Sequence, residues 1–162
     1  MSYTISHVPA ATFASLQTQS IANVANAQAI TYDTTIEADG ISLASSSRIV
    51  FSRPGNYALS FSAIAHDSSS SSAKWFNIWL SKDGTNVANT STYISTSNSA
   101  PQTVVATFII SVTAANQYVE LYMAGETTGS QILFTAASAG GGGIPAFPAS
   151  PSIVVAVWQA SN

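Results

Sequence analysis

The stretch RPGNYALSFSAIAHD, residues 53–67, decides how the rest of the chain is read. Proline fixes φ near the value wanted by the second residue of a turn, and glycine accepts a positive φ at the third. Arg53-Pro54-Gly55-Asn56 is therefore expected to form a type II turn. From Tyr57 a period of two takes over. Tyr57, Leu59, Phe61, Ala63 and Ala65 share one face; Ala58, Ser60, Ser62 and His66 share the other, with Ile64 as its large apolar member. The pattern predicts a strand with one face packed and the other small and polar.

The same alternation recurs on both sides of this strand. AITYDTTI, SRIVFS, KWFNIWLSK, NVANTSTYIS, TVVATFIISV, QYVELYMAG, QILFTAAS and SIVVAVWQ are β-type runs separated by turn signals, the spacing of a sandwich or barrel. Asp39-Gly40 and Asp83-Gly84 are expected to make hairpin turns. Residues 68–72 and 139–151, rich in Ser or in Gly and Pro, are expected to be loops at strand ends. In the opening segment Phe13, Leu16, Ile21 and Val24 could mark an amphipathic helix, but the threonines and asparagines between them and the alternation in TFASLQTQ favour a strand. No fixed-period repeat is present.

Three strands are apolar on both faces: Trp75, Asn77 and Trp79 oppose Phe76, Ile78 and Leu80; Phe108, Ile110 and Val112 flank Ile109; Ile153, Val155 and Val157 oppose Val154, Ala156 and Trp158. Since an antiparallel sandwich leaves one face of each sheet in water, such strands call for a second cover. Loops of the same chain could supply it; a second copy supplies it more simply, so a homo-oligomer is expected.

A length of 162 residues suits one domain, with residues 1–20 expected to form an attachment segment and 21–162 the folded unit. Hydrophobic residues make up 46% and charged residues 7%, against about 25% charged in an average soluble protein. With net charge −3 and Arg48, Arg53, Lys74 and Lys82 as the cations, there is no basic patch to neutralise phosphates, so nucleic acid is not an expected partner. No run approaches the roughly 20 apolar residues of a membrane span, and no membrane partner is expected. The chain has no cysteine, hence no disulfide and no thiolate. MSYTISHVPAATFASLQ lacks the basic and apolar regions of a signal peptide, so synthesis in a cytoplasm is expected. On that expectation the sequon Asn89-Thr90-Ser91 carries no glycan.

Catalytic chemistry finds little to build on. His66-Asp67 beside the serines 68–72 has the residue types of a triad, but adjacency in sequence is not triad geometry. Asp33, Glu37 and Asp39 could hold a divalent cation, yet lack the spacing of a calcium loop; no metal or cofactor is expected. Glycines 140–143 lack the Lys-Ser/Thr ending of a phosphate-binding loop. Tyr57, Phe61, Trp75 and Trp79 are expected in the core, and Tyr93 and Phe147 at exposed contacts. The protein is not expected to be an enzyme.

The order of the elements resembles the jelly-roll head shared by tumour necrosis factor and the globular domain of the first complement component. ITYDTTIEADGISLASSSRIVFSRPGNYALSFSA, NIWLSKDGTNVA, TFIISVTAANQYVELYMAG and SIVVAVWQ carry the resemblance, in family order and over nearly the whole chain. It implies an all-β, two-sheet antiparallel jelly roll of about ten strands, assembled as a homotrimer. By position, Tyr118, Tyr122, Ile153, Val155 and Val157 are the candidates for the trimer interface. With no collagen stalk, no cysteine and little charge, the chain looks more like the small jelly rolls of tailed bacteriophages, and TQSIANVANAQAITYDTT resembles the N-terminal half of phage structural heads.

The function expected is that of a virion structural protein, made in the host cytoplasm, whose trimer decorates or cements the outside of a capsid. Its partner would be the major capsid protein, with Tyr3, Ile5, Val8 and Phe13 as apolar anchors of a shell-facing strap. The rival expectation is the receptor-binding head of a tail fibre, recognising a host glycan or protein through the loop 139–151.

Overall fold

A computed structural model describes residues 7–161. Among the described residues there are fourteen strands and no helix: β1 (Ala10–Ser15), β2 (Gln19–Ser20), β3 (Gln28–Ala29), β4 (Thr34–Asp39), β5 (Ile41–Ala44), β6 (Arg48–Phe51), β7 (Gly55–Asp67), β8 (Lys74–Lys82), β9 (Thr85–Asn86), β10 (Thr92–Thr96), β11 (Gln102–Val112), β12 (Tyr118–Gly125), β13 (Ser130–Ile132) and β14 (Ile153–Ser161). They form two antiparallel sheets packed face to face. In the first, β4, β1, β14 and β7 follow one another, β11 runs along the far edge of β7, and β13 with β2 continues beside the end of β7. In the second the order is β10, β8, β12, β6 and β5, with β9 beside β8 and β3 beside β12.

Alternation in β7 sends Tyr57, Leu59, Phe61, Ala63 and Ala65 into the core, as their spacing predicts. Tyr57 packs its ring 4.4 Å from that of Phe51 and donates its hydroxyl to the Arg53 carbonyl at 2.9 Å. The turn ahead of it differs from the type II expectation: residues 52–53 bend and Gly55 already belongs to the strand, at φ 149°. Glycine is needed there because a Cβ would lie 2.3 Å from Gln159 Nε2 and 2.9 Å from the Ser161 carbonyl.

Asp83-Gly84 makes the expected hairpin between β8 and β9, with φ 49° and 80°, the pair of positive values a type I′ turn demands. Asp39-Gly40 does not. It carries the chain out of the first sheet at the end of β4 and into the second at β5. The turn residues mark the reversal, but not which sheet receives the next strand.

The opening segment is a strand. Ala10–Ser15 lies between β14 and β4, with a bulge at Thr12/Phe13 and Phe13 in the core. The jelly roll therefore begins well before residue 21, which corrects the expected boundary.

Two polar clamps close the sandwich. At the end of β7, buried Asp67 accepts from the Ser69 and Ser70 amides, the Ser69 hydroxyl at 2.8 Å, Thr127 Oγ1 at 2.5 Å and Ser130 Oγ at 3.0 Å, fastening the loop after β7 to the turn between β12 and β13. At the other end Arg53 donates to Gln159 Oε1 from Nε at 3.0 Å and Nη2 at 2.7 Å.

Candidate binding faces

Strand alternation gives each sheet an outward face, and register aligns its side chains in rows. On the first sheet one row runs Ala10, Trp158, Ala58, Ile109; the next Thr12, Ala156, Ser60, Thr107; the next Val154, Ser62, Val105. Thr107 donates to Ser60 across the pair at 3.1 Å. None of these side chains is charged; Glu37 and Asp39 stand at the β4 edge opposite Thr12 and Ala10. Val105 is 63% exposed, Ile109 69% and Trp158 41%, so the face is small and polar along β7 and aliphatic or aromatic to either side.

The second sheet turns a different set outward. Phe76, Ile78 and Leu80 of β8 fill the core, so Trp75, Asn77 and Trp79 face out and are half-buried. The sequence expectation placed both tryptophans inside; since both faces of β8 are apolar, alternation alone could not orient it. Register sets Ser95 opposite Trp75, Tyr93 and Ala124 on either side of Asn77, and Tyr122 opposite Trp79. The Trp79 and Tyr122 rings stack at 6.1 Å and 23°, and Asn86 Oδ1 accepts from Trp79 Nε1 at 2.9 Å. Further along β12, the Arg48 guanidinium covers the Tyr118 ring at 4.6 Å and lies 3.7 Å from Glu120, a buried carboxylate that also accepts from Ser47 Oγ at 2.7 Å. Burial first, and Glu120 second, push the phenol of Tyr32 well above its ordinary range, and its hydroxyl has no hydrogen-bond partner among the described residues.

The proposed interface residues divide between these sheets. Tyr118 and Tyr122 lie on the outward face of the second sheet, whereas Ile153, Val155 and Val157 are buried within the chain, 0–1% exposed. Their neighbours Val154, Ala156 and Trp158 form the outward face of β14. Of the strap residues, Tyr3 and Ile5 lie outside the described residues, Val8 is exposed, and Phe13 packs 6.3 Å from Tyr32 in the core, where it cannot anchor anything external.

The triad-like residues diverge as well. Gln131 Nε2 lies 3.0 Å from His66 Nδ1, while the loop hydroxyls belong to Asp67, on the other face of β7. Asp33 accepts from the Leu16 amide and Asp39 meets His7; among the described residues no three acidic or histidine side chains gather as metal ligands. Residues 133–151 form an arm bridged at Thr135/Ser150, Ser138/Phe147 and Gly141/Ile144, exposing Ile144 and Phe147, as expected for the latter. Tyr93, also expected at the surface, is 71% exposed. A cleft of about 370 Å³ opens between the sheets beside β11, lined by Leu80, Val87, Phe108 and Ile110 with Lys82.

The arrangement of the two sheets matches known structures. The globular domain of zebrafish complement 1qA superposes with TM-score 0.59 at 15% identity, covering 96% of this chain and all of that one. Murine APRIL superposes with TM-score 0.58 at 6% identity, covering 94% and 99%. The fold is the complement and tumour-necrosis-factor type of jelly roll. No family model and no curated protein matches the sequence. The likeness is thus one of architecture, and the function of this jelly roll has to be read from its own faces.

Proposed function

We propose that the protein is a virion structural protein, a homotrimer that decorates or cements the outside of a bacteriophage capsid, with the major capsid protein as its partner. The observation that carries self-association is the outward face of the first sheet, where Val105, Ile109 and Trp158 stand exposed among uncharged neighbours. A face of this kind is stabilised when a second copy covers it. The contact then uses Val105, Ile109, Val154, Ala156 and Trp158, not the core side chains of β14. Three copies on one axis engage three shell sites at once, so modest contacts gain effective concentration. The strap consists of the residues ahead of β1, with Tyr3, Ile5 and Val8 as its anchors.

Light scattering of the purified protein, followed by co-sedimentation with empty capsids, tests this reading. A trimer that pellets with capsids, and a chain lacking residues 1–8 that remains trimeric but stays in the supernatant, are expected. A monomer, or equal pelleting by the truncated trimer, overturns the assembly or the strap respectively. The arm 133–151, with Ile144 and Phe147 exposed at its end, favours a second reading as a receptor-binding head. A trimer that ignores capsids and binds host cells through this arm decides for it.

A further inference from the structure

Among the described residues, the outward face of β8, β10 and β12 gathers Trp75, Trp79, Tyr93 and Tyr122. Trp75, Asn77 and Trp79 stand in a line along one strand, about 7 Å from each residue to the next at the rise of an extended chain. Tyr122 extends the line sideways by stacking on Trp79, and Tyr93 stands opposite Asn77. The platform is pre-set, because the indole N–H of Trp79 is held by Asn86 and its ring by Tyr122. Asn77 uses Oδ1 to accept from Ser91 Oγ at 3.3 Å, and its amide nitrogen has no hydrogen-bond partner among the described residues.

Charge selects the ligand. The cations near this face are committed: Arg48 to Glu120 and the Tyr118 ring, Lys74 to Glu126 at 3.0 Å, Lys82 to Asp83 at 3.7 Å. Anionic polymers therefore find no free partner here. Aromatic faces carry negative charge at their centres and attract the slightly positive C–H bonds on the flat side of a sugar ring, while amides take its hydroxyls. A flat row along a strand suits an extended chain of equatorially linked sugars better than a coiled one.

We propose that this face binds a neutral, equatorially linked hexose chain, with sugar rings stacked on Trp75 and on the Trp79–Tyr122 pair and hydroxyls taken by Asn77. The site is separate from the arm 133–151 and from the first-sheet face, so it stands with either reading of the protein's role.

Chitohexaose and cellohexaose, with maltohexaose as the coiled comparison, are titrated against the full chain while tryptophan emission is followed. Trp158, on the opposite sheet, serves as an internal constant. The first two sugars are expected to shift the emission, with Trp79→Ala and, at an exposed position, Tyr93→Ala each weakening binding about tenfold or more. Light scattering on the same samples is expected to show unchanged mass, which keeps a failure of assembly distinct from a failure of sugar binding. No emission change with either extended sugar, binding untouched by both substitutions, or a fall in mass with Trp79→Ala would each overturn the proposal.

Discussion

The two outward faces rest on one backbone plan and differ in what fills the alternate positions. Along β7 and β14 those positions hold Ala58, Ser60, Ser62, Val154 and Ala156; along β8 and β12 they hold Trp75, Trp79, Tyr118 and Tyr122. Small and aliphatic side chains let another protein surface approach closely and offer few hydrogen bonds. Large rings interleaved with an amide offer area and hydrogen-bonding groups to a small polar ligand. The inward residues fix the jelly roll, so the outward set is free to differ between the two sheets.

The sharpest way to break the contrast is Ile109→Asp. Its side chain is 69% exposed in one chain, so the fold should survive while a buried unpaired charge abolishes the assembly, and light scattering should fall from trimer to monomer mass. Retained trimer mass would remove the first-sheet face from the interface. Tyr57→Ala undermines both faces together: losing a fully buried ring should lower stability by about 3–5 kcal/mol, read as a shift of the urea midpoint at unchanged slope.

Asp67 tests how the sheets are joined. Burial works to raise its pKa, but hydrogen bonds from Thr127, Ser69 and Ser130 outweigh burial and hold it at about 2, below its ordinary 3.8. A carboxylate depressed on folding contributes stability above its unfolded pKa, and that contribution is lost as pH falls from about 4 through 2. The contribution is about 2 kcal/mol. Asp67→Asn should therefore lose stability at pH 7 and flatten the acid limb of the unfolding profile; an unchanged limb would mean that other carboxylates control it. The smallest effect is expected from Tyr32→Phe, which deletes an unpartnered buried hydroxyl beside Glu120 and should raise stability by about 1 kcal/mol in the same assay.

Much of the fold was legible in the sequence wherever one set of alternate residues was clearly more apolar than the other. β7 is oriented by Tyr57, Leu59 and Phe61 against three serines or alanines, and Asp83-Gly84 names its own hairpin. Legibility failed where both sets were apolar. In β8 the tryptophans outweighed Phe76, Ile78 and Leu80 by size, although Asn77 among them was the available sign that their side faced out. In β14 nothing separates Ile153, Val155 and Val157 from Val154 and Ala156 except Trp158, which is large enough to be read either way. Phe13 misled differently: its segment is sparse in large apolar residues, yet pairing with both β14 and β4 places it in the centre of a sheet. That placement depends on strands far away in sequence, which local patterning does not encode.

The same distant pairing orders the molecule in time. Ser152 donates its hydroxyl to the carbonyl of Ser15, 137 positions earlier, at the point where β14 begins beside β1. Strands β8, β10 and β12 arise from one continuous stretch and can meet as soon as it leaves the ribosome. The first sheet must wait, with β7 already made and unpaired along one side, until residues 153–161 emerge to fill the gap between β7 and β1. Because closing a long loop is entropically slower than closing a short one, the sheet that carries the aromatic rings can form early, and the sheet that needs β14 is completed last.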